Sequence, residues 1–98
     1  MEVYRNNLDY RISESLKFVE GERILDVGCN DGAISRILGE RGHKVIGIDT
    51  LQTMIDIAKE FNEIDNVRFE QRNFLKEPFP DESFDCIIFL ETIEHVLE

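Results

Sequence analysis

The chain has 98 residues, 42% hydrophobic and 33% charged, which predicts a single soluble globular domain near the small end of what buries its own core and excludes a disordered tract. No apolar run approaches a membrane span, and Met1-Glu2-Val3-Tyr4-Arg5 lacks the charged-then-apolar layout of a signal peptide, so a cytoplasmic protein with no membrane partner is expected. Twenty-one acids against 11 bases give a net charge of −10, and from Glu77 onward there are seven acids and no Lys or Arg, a surface that repels polyanions and argues against nucleic acid as a partner of this chain alone.

Leu8, Ile12, Leu16 and Val19 recur at helical spacing over residues 8–20, with Gly21 as a stop. Arg23–Gly28 reads as a first strand, carried by Ile24, Leu25 and Val27. Gly28, Asn30 and Gly32 then crowd a tight turn, and a helix follows with Ala33, Ile34, Ile37 and Leu38 on one face, ending near Gly42. Lys44–Asp49 is a second strand. Thr50 is placed to cap the next helix, whose Leu51, Met54, Ile55, Ala58 and Phe61 form an apolar stripe, Met54 being read as core. Val67, Phe69 and Gln71 alternate with Arg68 and Glu70, as in a strand wet on one face. After the proline-rich loop Glu77-Pro78-Phe79-Pro80-Asp81, Phe84–Leu90 reads as a fourth strand. His43, before the second strand, reads as a surface residue, and Cys29 and Cys86 read as reduced thiols without a metal or disulfide framework. No His lies near Cys29 in sequence to activate it, so Cys29 is taken as a small residue filling the turn and not as a nucleophile.

Strands alternating with helices predict an α/β fold with a parallel sheet and helices on both faces. The half-polar third strand belongs at an edge and the apolar first, second and fourth inside, which gives the order 3-2-1-4. Ligands then bind at the carboxyl ends of the strands, at the switch point between strands one and four. A strand, a tight turn and a helix N-terminus there direct N–H groups and the helix dipole into the turn.

The turn Ile24-Leu25-Asp26-Val27-Gly28-Cys29-Asn30-Asp31-Gly32 lacks the G-x-G-x-x-G spacing of dinucleotide sites. It resembles motif I of class I S-adenosylmethionine (SAM)-dependent methyltransferases, acid-x-Gly-x-Gly-x-Gly, matched at Asp26, Gly28 and Gly32. Asn30 stands where the motif prefers glycine, and Asn is the substitute best able to hold a positive φ. The resemblance runs along nearly the whole chain and implies a Rossmann-like methyltransferase fold. Asp49, about 21 residues after Gly28 and followed by Thr50, would accept both ribose hydroxyls of SAM. Asn73 follows the third strand, where family members present an acid to the adenine amino group; its side-chain oxygen can accept the same bond, with Phe74 packing on the ring. Pro78–Asp85 matches the lead into the fourth strand, and Leu90 would line the methionine part. The expected cofactor contacts are therefore Asp26, Gly28, Cys29, Asn30, Gly32, Asp49, Thr50, Asn73, Phe74 and Leu90.

Glu91, Glu94 and His95 fall at i, i+3 and i+4 if that run is helical. The run resembles one in metal-dependent RNA 3′-end 2′-O-methyltransferases, an alternative kept beside small-molecule methylation. Three such groups leave a hard cation short of ligands, so polar residues at a helix start are the preferred reading and no metal is assigned. The remaining alternatives are a nicotinamide-binding enzyme and a non-catalytic module that keeps the fold. The fourth strand has a centre-strand composition with nothing after it to cover its outer edge. Residues 1–98 are therefore expected to be the SAM-binding half of a larger methyltransferase domain (a leading helix in 1–21, a core in 22–98), inactive alone and prone to pair through strand four as a homodimer. The methyl acceptor is not encoded in these residues.

Overall fold

The computed structural model describes residues 19–80 and 83–89. Four strands and two helices alternate as β1 (Arg23–Val27), α1 (Ala33–Glu40), β2 (Lys44–Asp49), α2 (Gln52–Asn62), β3 (Val67–Gln71) and β4 (Cys86–Ile88). All pairings are parallel, and the sheet order is β3-β2-β1-β4, as the strand compositions predict. The expected leading helix over 8–20 falls almost wholly outside the described residues, as do Leu90 and the Glu91–His95 run.

Alternation along the strands decides which side chains enter the core. Ile24, Val45, Val67, Phe69 and Ile88 bury against Leu38 of α1 and Ile55 and Ala58 of α2. Each large side chain so buried contributes about 1.5–3 kcal/mol. Both described helices therefore lie on one face of the sheet. The connection between β3 and β4 carries Pro78 and Pro80, each lacking an N–H and disfavouring the α region for the residue before it. That connection instead brings Phe79 and Phe84 to the opposite face, where they share a groove with Ile46 and Arg68. Their rings meet edge to face with centroids 5.0 Å apart.

The fourth strand is shorter than the apolar run Phe84–Leu90 suggests, because its flanks are used otherwise. Asp85 turns back on β1, where its Oδ2 accepts hydrogen bonds from Glu22 N and Arg23 N, both at 2.9 Å. Phe89 leaves the ladder to meet Phe74, centroids 5.9 Å apart. In α2 the stripe holds at Ile55 and Ala58, with Met54 half-buried, but Leu51 and Phe61 are 58% and 62% exposed. Leu51 is still extended and so precedes the helical face. Phe61 lies roughly 90° around the helix from the direction midway between Ile55 and Ala58. Asn62 takes the buried side of that last turn, donating from Nδ2 to Asp31 O at 2.6 Å. Thr50 does not cap α2, whose N-cap position is Leu51 with no side-chain cap bond; Leu51 N itself donates to Asp49 Oδ1 at 3.0 Å. His43 is half-buried, not a free surface side chain, and its Nδ1 donates to Gly21 O at 2.7 Å.

Candidate cofactor site

The turn after β1 is built on alternate left-handed residues, with φ of 75° at Gly28, 55° at Asn30 and 87° at Gly32. Asn30 is the non-glycine residue with positive φ among those described, in agreement with the tolerance expected of Asn there. The turn folds over the end of β2: Gly28 N and Cys29 N both donate to Ile48 O, at 2.9 and 2.8 Å. Gly32 N donates to Cys29 O at 3.0 Å, and Ala33 N to Asp31 Oδ1 at 3.1 Å. These N–H groups were expected to face a ligand, and the structure uses them internally.

Asn30 N donates to Asp49 Oδ2 at 3.0 Å, while Leu51 N holds Oδ1. Two backbone donors thus fix the Asp49 carboxylate across the mouth of β1 and β2. Each oxygen keeps acceptor capacity, so the group can take two neighbouring hydroxyls. The same arrangement discriminates between ligand classes. A pyrophosphate needs unpaired backbone N–H groups at the turn and is repelled by Asp49 and Asp31, whereas a ribose with no phosphate needs the carboxylate.

Asp26 is 3% exposed and accepts a hydrogen bond from Ser35 Oγ at 2.7 Å. It ties the end of β1 to α1 from beneath the turn. Cys29 is 5% exposed, and burial, with the charges of Asp26 and Asp49 adding to it, pushes its thiol well above the ordinary range. A thiol held protonated is no nucleophile, as its surroundings in sequence suggested. Its N–H is committed to Ile48 O, so Cys29 offers the site shape and no donor of its own.

Gly28, Asp49 and Thr50 line a cavity of about 490 Å³ together with Asn73, Phe74 and Phe89. Asn73 Oδ1 does not point into open space: it accepts from Leu75 N at 3.0 Å and Lys76 N at 3.3 Å. The side-chain oxygen expected to meet adenine is thus engaged by its own loop. Leu90, assigned to the methionine end, lies outside the described residues.

Two residues of the site escape the sequence reading. Ser35 is one; a hydroxyl on an otherwise apolar helix face, following a strand that buries an acid, was the available signal. Arg72 is the other. It lines the same cavity, its guanidinium stacks 3.8 Å above the Phe79 ring, Nε pairs with Glu70 at 2.8 Å and Nη1 donates to Glu77 O at 3.0 Å. No local pattern announces a contact that depends on the path of the 72–80 loop. A second groove, about 540 Å³, lies against Arg23, Lys44, Ile46 and Phe84. It sits away from the carboxyl ends of the strands, where open parallel sheets bind ligands, so its larger volume does not make it the site.

An open parallel sheet with a left-handed turn after β1 and a fixed acid at the end of β2 is an arrangement suited to a nucleoside in an α/β domain. A family model described as "Methyltransferase domain" matches residues 25–98. The ubiquinone biosynthesis O-methyltransferase of Rhodopseudomonas palustris (strain TIE-1) is 37% identical over 89 residues, covering 90% of this chain and 35% of that protein. Among solved structures, a SAM-dependent methyltransferase from Mesorhizobium loti superposes with a TM-score of 0.67 at 29% identity, over 79% of this chain and 36% of that one. The Pyrococcus abyssi tRNA (uracil-54, C5)-methyltransferase, solved in complex with S-adenosyl-L-homocysteine, gives 0.70 at 30% identity, over 82% and 20%. The chain belongs to the class I SAM-dependent methyltransferase family, and SAM is the cofactor of that family. It spans about a third of the length of the curated relative it matches. Nothing in these findings favours the metal-dependent RNA methyltransferase alternative.

Proposed function

We propose that this chain binds SAM through the Gly28–Gly32 turn and Asp49, and that the whole protein transfers the SAM methyl group to an oxygen of a small molecule. The observation that carries the reading is the Asp49 carboxylate, fixed by Asn30 N and Leu51 N at the wall of the 490 Å³ cavity. In this reading Asp49 accepts the ribose hydroxyls. Gly28, Asn30 and Gly32 give the turn its path, Asp26 holds that path through Ser35, and Cys29 fills the space beneath it. Thr50, Asn73 and Phe74 wall the adenine end, and Leu90 is assigned to the methionine end. Bound SAM supplies a methyl group already activated by the sulfonium charge. The protein's part is then placement, holding acceptor oxygen, methyl and sulfur in line. No general base is assigned.

The acceptor class rests on the curated relative's name, an O-methyltransferase of ubiquinone biosynthesis. A tRNA acceptor, as in the Pyrococcus abyssi neighbour, fits poorly with a net charge of −10. No described helix is long and apolar enough to cross a membrane. Two free cysteines support a reducing, cytoplasmic setting.

Calorimetric titration with SAM and, separately, with NADH tests the binding reading. Heat with SAM and none with NADH is expected, and heat with NADH alone would sink the proposal.

A further inference from the structure

We infer that Asn73 meets the adenine of SAM as a hydrogen-bond donor, through Nδ2 to a ring nitrogen, and not as an acceptor of the exocyclic amino group. The inference rests on the SAM reading above and adds how the base is recognised.

The loop itself fixes which way the amide is turned. Asn73 Oδ1 accepts from Leu75 N at 3.0 Å and from Lys76 N at 3.3 Å. An amide nitrogen has no lone pair to offer those two N–H groups, so exchanging the oxygen and nitrogen would set donor against donor twice. The backbone carbonyl of Asn73 is also engaged, accepting from Lys76 N at 3.1 Å and Glu77 N at 2.8 Å. Both acceptors of this residue therefore face the loop. Nδ2 is its one side-chain polar atom with no partner among the described residues, at a position that lines the cavity with Asp49 and Phe74.

The loop cannot easily turn to offer something else. Arg72 N donates to Asp49 O at 3.0 Å, which joins the start of the loop to the ribose-binding acid. The Arg72 side chain grips Glu70, the Glu77 carbonyl and the Phe79 ring. What reaches the base is therefore an N–H donor on a braced support. Adenine answers a donor with N1, N3 or N7, and answers an acceptor only with its amino group.

The test compares binding of S-adenosylhomocysteine with four analogues: one lacking the adenine amino group, and three with C–H in place of N1, N3 or N7. In the parent, one ring replacement is expected to weaken binding about tenfold, the scale of leaving a hydrogen-bonding group unpaired, while loss of the amino group changes it less than about twofold. Asn73→Asp keeps oxygens for Leu75 N and Lys76 N, so the loop should hold its shape, but it has no donor. That variant should become indifferent to the ring replacement and lose about tenfold on removal of the amino group. Side-chain amide resonances of Asn73 in a ¹⁵N-labelled sample should shift on adding S-adenosylhomocysteine and stay in place with the ring analogue that binds weakly. A parent sensitive to the amino group and indifferent to all three ring replacements would overturn the inference alone. The same preference in parent and Asn73→Asp would also do so. Absence of any S-adenosylhomocysteine binding would overturn the SAM reading with it.

Discussion

At the scale of single residues, one acid and one backbone conformation carry the proposed site. Asp49 binds two backbone N–H groups and has capacity left for two hydroxyls, so Asp49→Ala should weaken SAM binding by about 1.5–3 kcal/mol, the range for charge-assisted hydrogen bonds. Gly28→Val should weaken it further, since φ at Gly28 is 75° and a β-branched side chain neither adopts that conformation nor leaves the backbone approachable. Calorimetry on both variants, with circular dichroism to show that each is folded, checks the pair; parent-like binding by both would mean that the site is elsewhere. The place of Asp49 at the end of β2 and the positive φ of Asn30 were legible because each follows from residue type and spacing. The Oδ1 bonds of Asn73 and the stacking of Arg72 on Phe79 were not, because both depend on how a proline-bearing loop returns toward the sheet.

At the scale of elements, hydrophobic period gave strands and helices their places, and neither described helix has a side-chain cap at its start. Strand order was legible because polar alternation at Arg68 and Glu70 marks an edge. The ends of β4 were not, since an apolar run does not reveal that Asp85 is bonded back to β1. That contact has a pH signature. Hydrogen bonds from Arg23 N and Glu22 N, then the Arg23 side chain, hold the Asp85 carboxyl below its ordinary value of 3.8. A group depressed on folding favours the folded state when ionised, so its contribution is complete well above pH 3.8 and is lost as pH falls through the lower folded value. Denaturant unfolding of the parent and Asp85→Asn should show the parent more stable at neutral pH, with the gap closing below that point. A gap that stays constant down to strongly acidic pH would show that the charge of Asp85 plays no part.

At the scale of the whole molecule, α1 and α2 cover one face of the sheet, and among the described residues nothing pairs the outer edge of β4. Ile87 on that strand is 42% exposed. We propose that the 98-residue chain self-associates by pairing β4 with β4, which would satisfy the edge's backbone groups in a symmetric interface. Size-exclusion chromatography with light scattering should find a dimer or soluble aggregate that Ile87→Lys converts to monomer. A parent that remains monomeric at high concentration would refute this.

The central claim is that SAM sits over the Gly28–Gly32 turn and Asp49, at the carboxyl ends of the strands, and not in the larger groove near Arg23 and Phe84. Titrating S-adenosylhomocysteine into the ¹⁵N-labelled chain and following backbone amides tests it most directly. The claim predicts shifts at Gly28, Asn30, Asp49, Thr50, Asn73 and Phe74, with Arg23, Lys44 and Phe84 unmoved. Shifts confined to Arg23, Lys44, Ile46 and Phe84, with the turn and Asp49 silent, would contradict it.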